Sequence, residues 1–442
     1  MFPDGPLALD DIVRRLEHVL AVSPADATEI SWMEARRGQE SNGKRRRDSY
    51  QQHERTILIR VRQSGRTGMH RTSACGLSDL ENALREALAQ ARLAAPSPAP
   101  LVPPEHDTPV HTAGLADPEL VRMTPERARD GLQRLADKSE TARLGWAEGR
   151  VAVASSQGLR RAAEVTSGWL EVVCGRQPGA GRAAAASRSL AGLDPAGVFE
   201  RARRRHGPPD VVPPPEGPAP LLLSQEAAAG LVELLNRQAF TSESFHSGLS
   251  FLCERLGQPV FHPAVSLRDD PTDPRGLPFP FDLLGAAARP VDLVAGGVAL
   301  TPAVDERLAR ALGLALTPQR VTPDAAIPAH LFLLPGSDSE EELLRAAEGG
   351  LWAAALDPVE VYDVHALRFR AVLRGAREVA GGALGRSLPD LVWEAALPDV
   401  LSRVLAVGSE LVPIATGAGL FRATTAPMLA LDAVSGLRFA LD

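Results

Sequence analysis

Seven prolines crowd the stretch from Gly207 to Pro220, and they limit what the chain can fold into more than any other feature. Each one fixes φ and removes a backbone donor. A run this dense suits neither a helix nor the interior of a sheet, so it reads as a crossing between two separately packed bodies. With 442 residues the chain is long enough to give each body its own core. We place the boundary between residues 213 and 214, which gives an amino-terminal domain over 1–213 and a carboxy-terminal domain over 214–442.

Directly after the prolines, Leu221-Leu222-Leu223 reads as an apolar strand, and Ser224 is placed to cap a helix with Glu226 in its first turn. Ala228, Leu231, Val232, Leu235 and Ala239 recur at helical spacing, so the helix from Gln225 to Ala239 should bury one face. Glu233 and Arg237 lie four apart and are expected to form an exposed ion pair worth only ~0.3 to 0.5 kcal/mol.

The amino-terminal half begins with an amphipathic helix carried by Leu9, Ile12, Leu16 and Val19. A strand is expected over Ala27 to Ala35, a basic loop or ragged edge strand from Arg36 to Gln52, and a strand over Thr56 to Arg62. A turn then leads into a partner strand near Met69 to Ser73. Leu80, Ala83, Leu84, Ala87 and Ala91 mark a second helix, Ala94 to Thr112 a connecting loop, and Pro125 to Asp137 a third helix. Strands at 151–155, 160–174 and 182–190 precede a helix at 195–205. Together these predict a mixed sheet with flanking helices.

The carboxy-terminal half reads as β-rich with helices, which makes the whole chain α+β. Its expected elements are a helix from Pro302 to Leu312, a strand at His330 to Leu334 and a helix with an acidic first turn near Glu340. Strands follow at 350–356, 359–364 and 367–373, then a helical stretch from Leu388 to Val404 and a strand from Pro427 to Asp432.

Net charge is −7, which gives no global basic field for nucleic acid. The basic runs Lys44 to Arg47 and Arg201 to His206 lack interleaved aromatics and read as a solvated loop and a helix end. Cys75, Cys174 and Cys253 have no paired spacing, and the N-terminus shows neither part of a signal peptide, so a reducing cytoplasm is expected and a membrane partner is not. His246, Cys253 and His262 are acceptable zinc ligands in type, but their spacing matches no compact pattern. Asp269, Asp270 and Asp273, interrupted by prolines, read as a turn rather than a calcium loop. No G-x-S-x-G elbow and no phosphate-binding glycine loop occurs.

The order of blocks resembles the TldD/PmbA family, the "modulator of DNA gyrase" proteins. The resemblance rests on the strand and helix from Leu221, then Ser247-Gly248-Leu249-Ser250, Val265 to Pro271 and Phe279-Pro280-Phe281-Asp282. It is also carried by Arg60-Val61-Arg62-Gln63-Ser64-Gly65-Arg66-Thr67-Gly68, by Ser155-Ser156-Gln157-Gly158 and by His330 to Glu341. After Asp282 it thins: the family's Asp-Glu-Gly is replaced by Leu283-Leu284-Gly285.

Catalytic members of that family carry His-Glu-x-x-x-His on the helix after the first strand, and a metal-binding cysteine late in the chain. Here the helix has no histidine, His53-Glu54 has no following histidine at the required distance, and no cysteine follows Cys253. The resemblance therefore implies the metal-free TldE type of subunit, with no catalytic residue, no metal ligand and no cofactor in this chain. It implies a zinc-bearing TldD-like partner in a heterodimer, acting on unfolded or modified peptides. In that reading Leu231, Val232 and Leu235 fill the place where a sibling holds zinc. The alternative is a stand-alone peptide-binding or scaffold protein, monomeric or homodimeric. A third reading, direct action on gyrase or DNA, rests on the family's name and the two basic runs.

Overall fold

The computed structural model describes residues 6–43, 48–96, 108–136, 139–321, 325–416, 420 and 422–439. The basic run at 44–47 and most of the expected loop between 94 and 112 lie outside them, as does Asp137.

The first sheet is built from β1 (Ala27–Gly43), β2 (Ser49–Gln63), β3 (Arg66–Thr72), β4 (Thr141–Ser155), β5 (Arg160–Cys174) and β6 (Gly181–Ser187), in the spatial order β3-β2-β1-β4-β5-β6. Its described pairings are all antiparallel, where a mixed sheet was expected, because hairpins join most consecutive strands and β4 enters antiparallel to β1. Helices α1 (Leu9–Val22) and α2 (Leu77–Leu93) pack Ile12, Leu16, Val19, Leu84 and Ala87 onto Ile30, Trp32, Ile57 and Ile59. Helices α3 (Pro118–Val121), α4 (Pro125–Ala136) and α5 (Pro195–Arg205) cover the far end of the sheet around Leu144, Trp146 and Leu170.

The segment from Arg36 to Gln52, expected as a basic loop or a ragged edge strand, is largely strand: β1 runs on to Gly43, inside the sheet between β2 and β4 rather than at its edge, and β2 starts at Ser49. Its charged residues hid the periodicity. They are neutralised laterally, Arg36 against Glu148 and Arg37 against Glu54, so a polar strand can lie inside the sheet.

Past the prolines come β7 (Ala219–Leu223), α6 (Gln225–Leu235), a π turn over Asn236–Phe240 and α7 (Ser242–His246). Then follow β8 (Leu267–Asp269), β9 (Val291–Ala295), β10 (Val298–Ala299), α8 (Glu306–Leu312), β11 (His330–Leu333) and α9 (Glu340–Ala346). The chain continues through β12 (Leu351–Ala353), β13 (Ala355–Asp363), β14 (Arg368–Arg374), β15 (Arg377–Ala380), β16 (Ala383–Ser387) and β17 (Leu391–Ala396). It closes with α10 (Leu397–Leu401), β18 (Val404–Val407), β19 (Val412–Ala415), β20 (Ala423–Ala426), β21 (Leu429–Val434) and β22 (Leu437–Phe439). The described strands form three further sheets, ordered β10-β9-β8-β11-β20-β19, β16-β15-β12-β7-β21-β18 and β13-β14-β17-β22. The architecture is α+β.

The helix expected from Leu388 to Val404 is a correction. Leu391 and Trp393 are fully buried while Val392 and Glu394 are partly exposed, a period of two that belongs to β17, and only the single turn of α10 follows. Likewise the helix expected from Pro302 starts only at Glu306, where Asp305 caps it through the Leu308 amide.

The two halves meet across the second face of the first sheet. Because side chains alternate on a strand, Ile30 and Trp32 face α1 and α2, and Glu29, Ser31 and Ala35 face the carboxy-terminal half. Phe279, Phe281, Leu283 and Leu420 pack there against Ala35, Val151, Val153 and Val165. Arg188 ties the seam by donating to the carbonyls of Thr166, Leu277, Pro278 and Leu420. The proline-rich crossing is itself held, its Val212 amide donating to the Ser387 carbonyl.

Candidate functional site

Helix α6 sits where three sheet edges converge: β6 from the first sheet, and β19 and β13 from two others. Between them opens a cleft of about 600 Å³. Its walls carry Ala184 and Ala185 of β6, Ile414 and Ala415 of β19, Ala355 and Leu356 of β13, and the aromatic rings of Tyr50 and Trp169. Arg182 and Asp357 line it and also line an adjoining cavity of about 640 Å³. The two spaces are thus neighbours along the junction of the halves, divided by the Arg182–Asp357 contact at 3.8 Å.

The floor is one face of α6 and the turn that follows. Glu226, Gly230, Glu233 and Arg237 fall on successive turns and line the cleft. Gly230 is the low point, since a Cβ there would meet nothing within 4 Å. Leu231, Val232 and Leu235 point the other way, into the main apolar core, with at most 1% exposure. These three pack as expected and hold the helix down, while the face turned to the cleft carries charged residues.

Both floor carboxylates are occupied. Glu226 accepts from the Ala184 amide at 2.8 Å and from Arg205 Nη1 at 2.8 Å, so it caps an outward donor of β6 while pairing with α5. Glu233 was expected in a simple exposed pair with Arg237. It is instead 7% exposed and surrounded: Oε1 accepts from Arg237 Nε at 2.9 Å and Arg422 Nη2 at 2.6 Å, and Oε2 from Asn236 Nδ2 and Thr424 Oγ1, both at 3.3 Å. Burial of the carboxylate makes these bonds stronger than those of a surface pair. Glu171 joins in from the wall, shared by Arg143 and Arg182.

This donor set does not fit a zinc ion. Zinc sites are built from imidazoles, thiolates and free carboxylates, whereas each carboxylate on the α6 floor is already neutralised by a guanidinium. Among the described residues no group of three or more His, Cys, Asp or Glu side chains is placed to hold a metal. His246, Cys253 and His262 are engaged separately: His246 pairs with Asp305 at 3.1 Å, the Cys253 thiol faces the Phe245 carbonyl, and His262 Nδ1 accepts from the Ala264 amide. Of the Asp269 group, Asp270 and Asp273 make local turn bonds to Thr272 and Arg275. Asp269 is different, being buried and accepting from the amides of Ala329 and His330 and from Gln319.

A second polar cluster lies at the seam, away from the cleft. Glu29 is fully buried, with Oε1 3.1 Å from Arg60 and Oε2 unpartnered. Burial, outweighing Arg60 and aided by the neighbouring Asp282 and Glu306 carboxylates, pushes it up to about 7. Burial likewise pushes Asp269 and Asp282 up to about 6, and pushes His330 down to about 3.

Sequence reasoning did not find Tyr50, Trp169, Arg182 and Asp357, which line the cleft, or Arg422, which binds its floor residue Glu233, because they come from distant parts of the chain. One available signal was Gly230, whose cost inside a helix implies a reason for the space above it.

Residues 216–436, half of the chain, match the family model described as PmbA/TldA metallopeptidase C-terminal domain. None of the curated proteins matches. The fold is similar to the crystal structure of TldE from Thermococcus kodakarensis, with a TM-score of 0.78 at 18% identity, covering 97% of this chain and 99% of that one. It is also similar to a proposed modulator of a DNA gyrase from Thermotoga maritima, with a TM-score of 0.80 at 20% identity, covering 96% and 99%. A like-described protein from Bacteroides thetaiotaomicron gives 0.71 at 15% identity, covering 96% and 97%.

Proposed function

The chain belongs to the PmbA/TldD family, and from that premise we propose that it is a non-catalytic, TldE-like subunit of a heterodimeric peptidase whose zinc resides in a TldD-like partner. Its contribution is one wall of a peptide-binding space, and the substrates are unfolded or modified peptides. The observation that carries this reading is the α6 floor. The helix that bears the metal motif in catalytic relatives here offers the cleft only Glu226, Gly230, Glu233 and Arg237, and its carboxylates are bound to Arg205, Arg237 and Arg422.

The cleft is the right kind of surface for an extended chain. Alanines and Leu356 supply a narrow apolar wall, and Tyr50 and Trp169 supply rigid aromatic faces. We place the assembly in the cytoplasm, a reading supported by three free cysteines. Among the described residues no helix is long and apolar enough to cross a membrane.

The test is to purify this chain alone and after co-expression with a family member from the same host that carries His-Glu-x-x-x-His. Peptide cleavage and bound zinc are then measured in both. Cleavage is expected only in the co-purified complex. Zinc-dependent cleavage by the isolated chain would overturn the proposal, and peptide binding by the chain with no complex formed would favour the stand-alone peptide-binding reading.

A further inference from the structure

We propose that Arg237 is a carboxylate-recognising residue of the cleft and selects peptides that present a carboxylate there. This deepens, and rests on, the reading of the cleft as a peptide site.

Among the described residues, the partner of Arg237 is Glu233, reached through Nε at 2.9 Å. The side chain is 55% exposed and lines the cleft, and its two terminal nitrogens carry donors that the Nε bond to Glu233 does not take up. A guanidinium held by its Nε keeps Nη1 and Nη2 in a planar fork suited to a bidentate carboxylate. The other guanidiniums around the floor are differently committed. Arg205 is spent on Glu226, Gln225 and the Arg182 carbonyl, Arg182 bridges Glu171 and Asp357, and Arg422 is bound to Glu233.

The fork is also held in place. Glu233 cannot swing away, because Arg422, Asn236 and Thr424 hold its two oxygens, and Asn236 is in turn tied to the Pro328 carbonyl at 3.0 Å. Arg237 is the second residue of the π turn at Asn236–Phe240, a local widening of the helix of the kind often found at functional sites. Gly230, one helical step before Glu233 on the same face, leaves open space for the incoming group. The arrangement is thus a fixed cation beside a vacant floor, and the complementary ligand is an anion small and planar enough to share the fork. A peptide can supply one as its terminal carboxylate or as an acidic side chain.

The experiment uses the complete chain, with dansyl-Ala-Ala-Phe-Ala as probe in three forms: free carboxylate, C-terminal amide, and amide with one alanine replaced by glutamate. Fluorescence anisotropy gives the affinity of each. The free-acid probe, the glutamate probe or both should bind about tenfold or more tighter than the plain amide, and which of them does so identifies the source of the carboxylate. Arg237→Ala should abolish that preference, read as the ratio of the carboxylate and amide affinities within one variant, and Arg237→Lys should restore part of it. Glu233→Gln, which loosens the anchor, should weaken the preference without removing it.

Equal binding of all three probes to the wild-type chain overturns the role of Arg237 while leaving a peptide cleft intact. So does a preference that survives Arg237→Ala. Failure of every probe to bind, to the chain alone or to its complex with the catalytic partner, overturns the peptide-site reading itself and this proposal with it. Circular dichroism of each variant separates loss of recognition from loss of fold.

Discussion

Replacing Glu29 with glutamine should change how stability depends on pH, with a sign that is fixed by the seam between the two halves. Glu29 projects from β1 into that seam, has Arg60 as its counter-ion on one oxygen and leaves the other unpartnered. Its carboxyl is pushed from 4.5 up to about 7. The native state therefore binds a proton more tightly than the unfolded chain. Stability contributed by the protonated form is complete below about pH 4.5 and is lost as pH rises through 7. For a group with those two values, the loss between pH 5 and pH 8 is about 2 to 3 kcal/mol. Glutamine has no proton to lose, so Glu29→Gln should remove that part of the pH dependence. Its packing and hydrogen-bond changes are common to both pH values and cancel in the difference. Urea denaturation of both proteins at pH 5 and pH 8 measures the quantity directly. If the two lose the same stability between those pH values, the buried, proton-holding Glu29 is wrong.

Two other perturbations test the fold around the cleft. Gly230→Ala should stabilise the protein by about 0.5 to 1 kcal/mol, since glycine is costly in a helix and the added methyl meets nothing. Gly230→Phe should keep a wild-type melting midpoint yet block peptide binding, and a variant that binds normally would show that the floor of the cleft is not used. Arg188→Met should cost about 3 kcal/mol or more, because the carbonyls of Thr166, Leu277, Pro278 and Leu420 lose their shared donor. A shift in the urea midpoint below that size would mean that water replaces the guanidinium.

Much of the architecture was legible because burial leaves a period in the sequence. The helix at Leu9–Val22 and the helix at Leu77–Leu93 announce themselves by apolar residues at helical spacing, and the strand after the prolines by its leucines. The period failed where something other than water exposure decided the polarity. The strand extension beyond Ala35 is polar because its charges are paired with charges on adjoining strands, and the stretch at Leu391–Ala396 looked helical because apolar neighbours on both sides blurred its alternation. The family resemblance was carried by turn and strand blocks, whose residue types are dictated locally.

By itself the sequence determined that α6 is a capped, half-buried helix without histidine, placed after a proline-rich crossing. It could not determine which face of that helix meets the cleft. Helical spacing says that Leu231, Val232 and Leu235 go together, but not that Glu233 turns toward Arg422 and Thr424, nearly the length of a domain away in the chain. That is settled only when three sheet edges close around the helix, because a carboxylate's environment is a property of everything packed against it. The tertiary structure thus changed Glu233 from half of a surface ion pair into the buried anchor of Arg237.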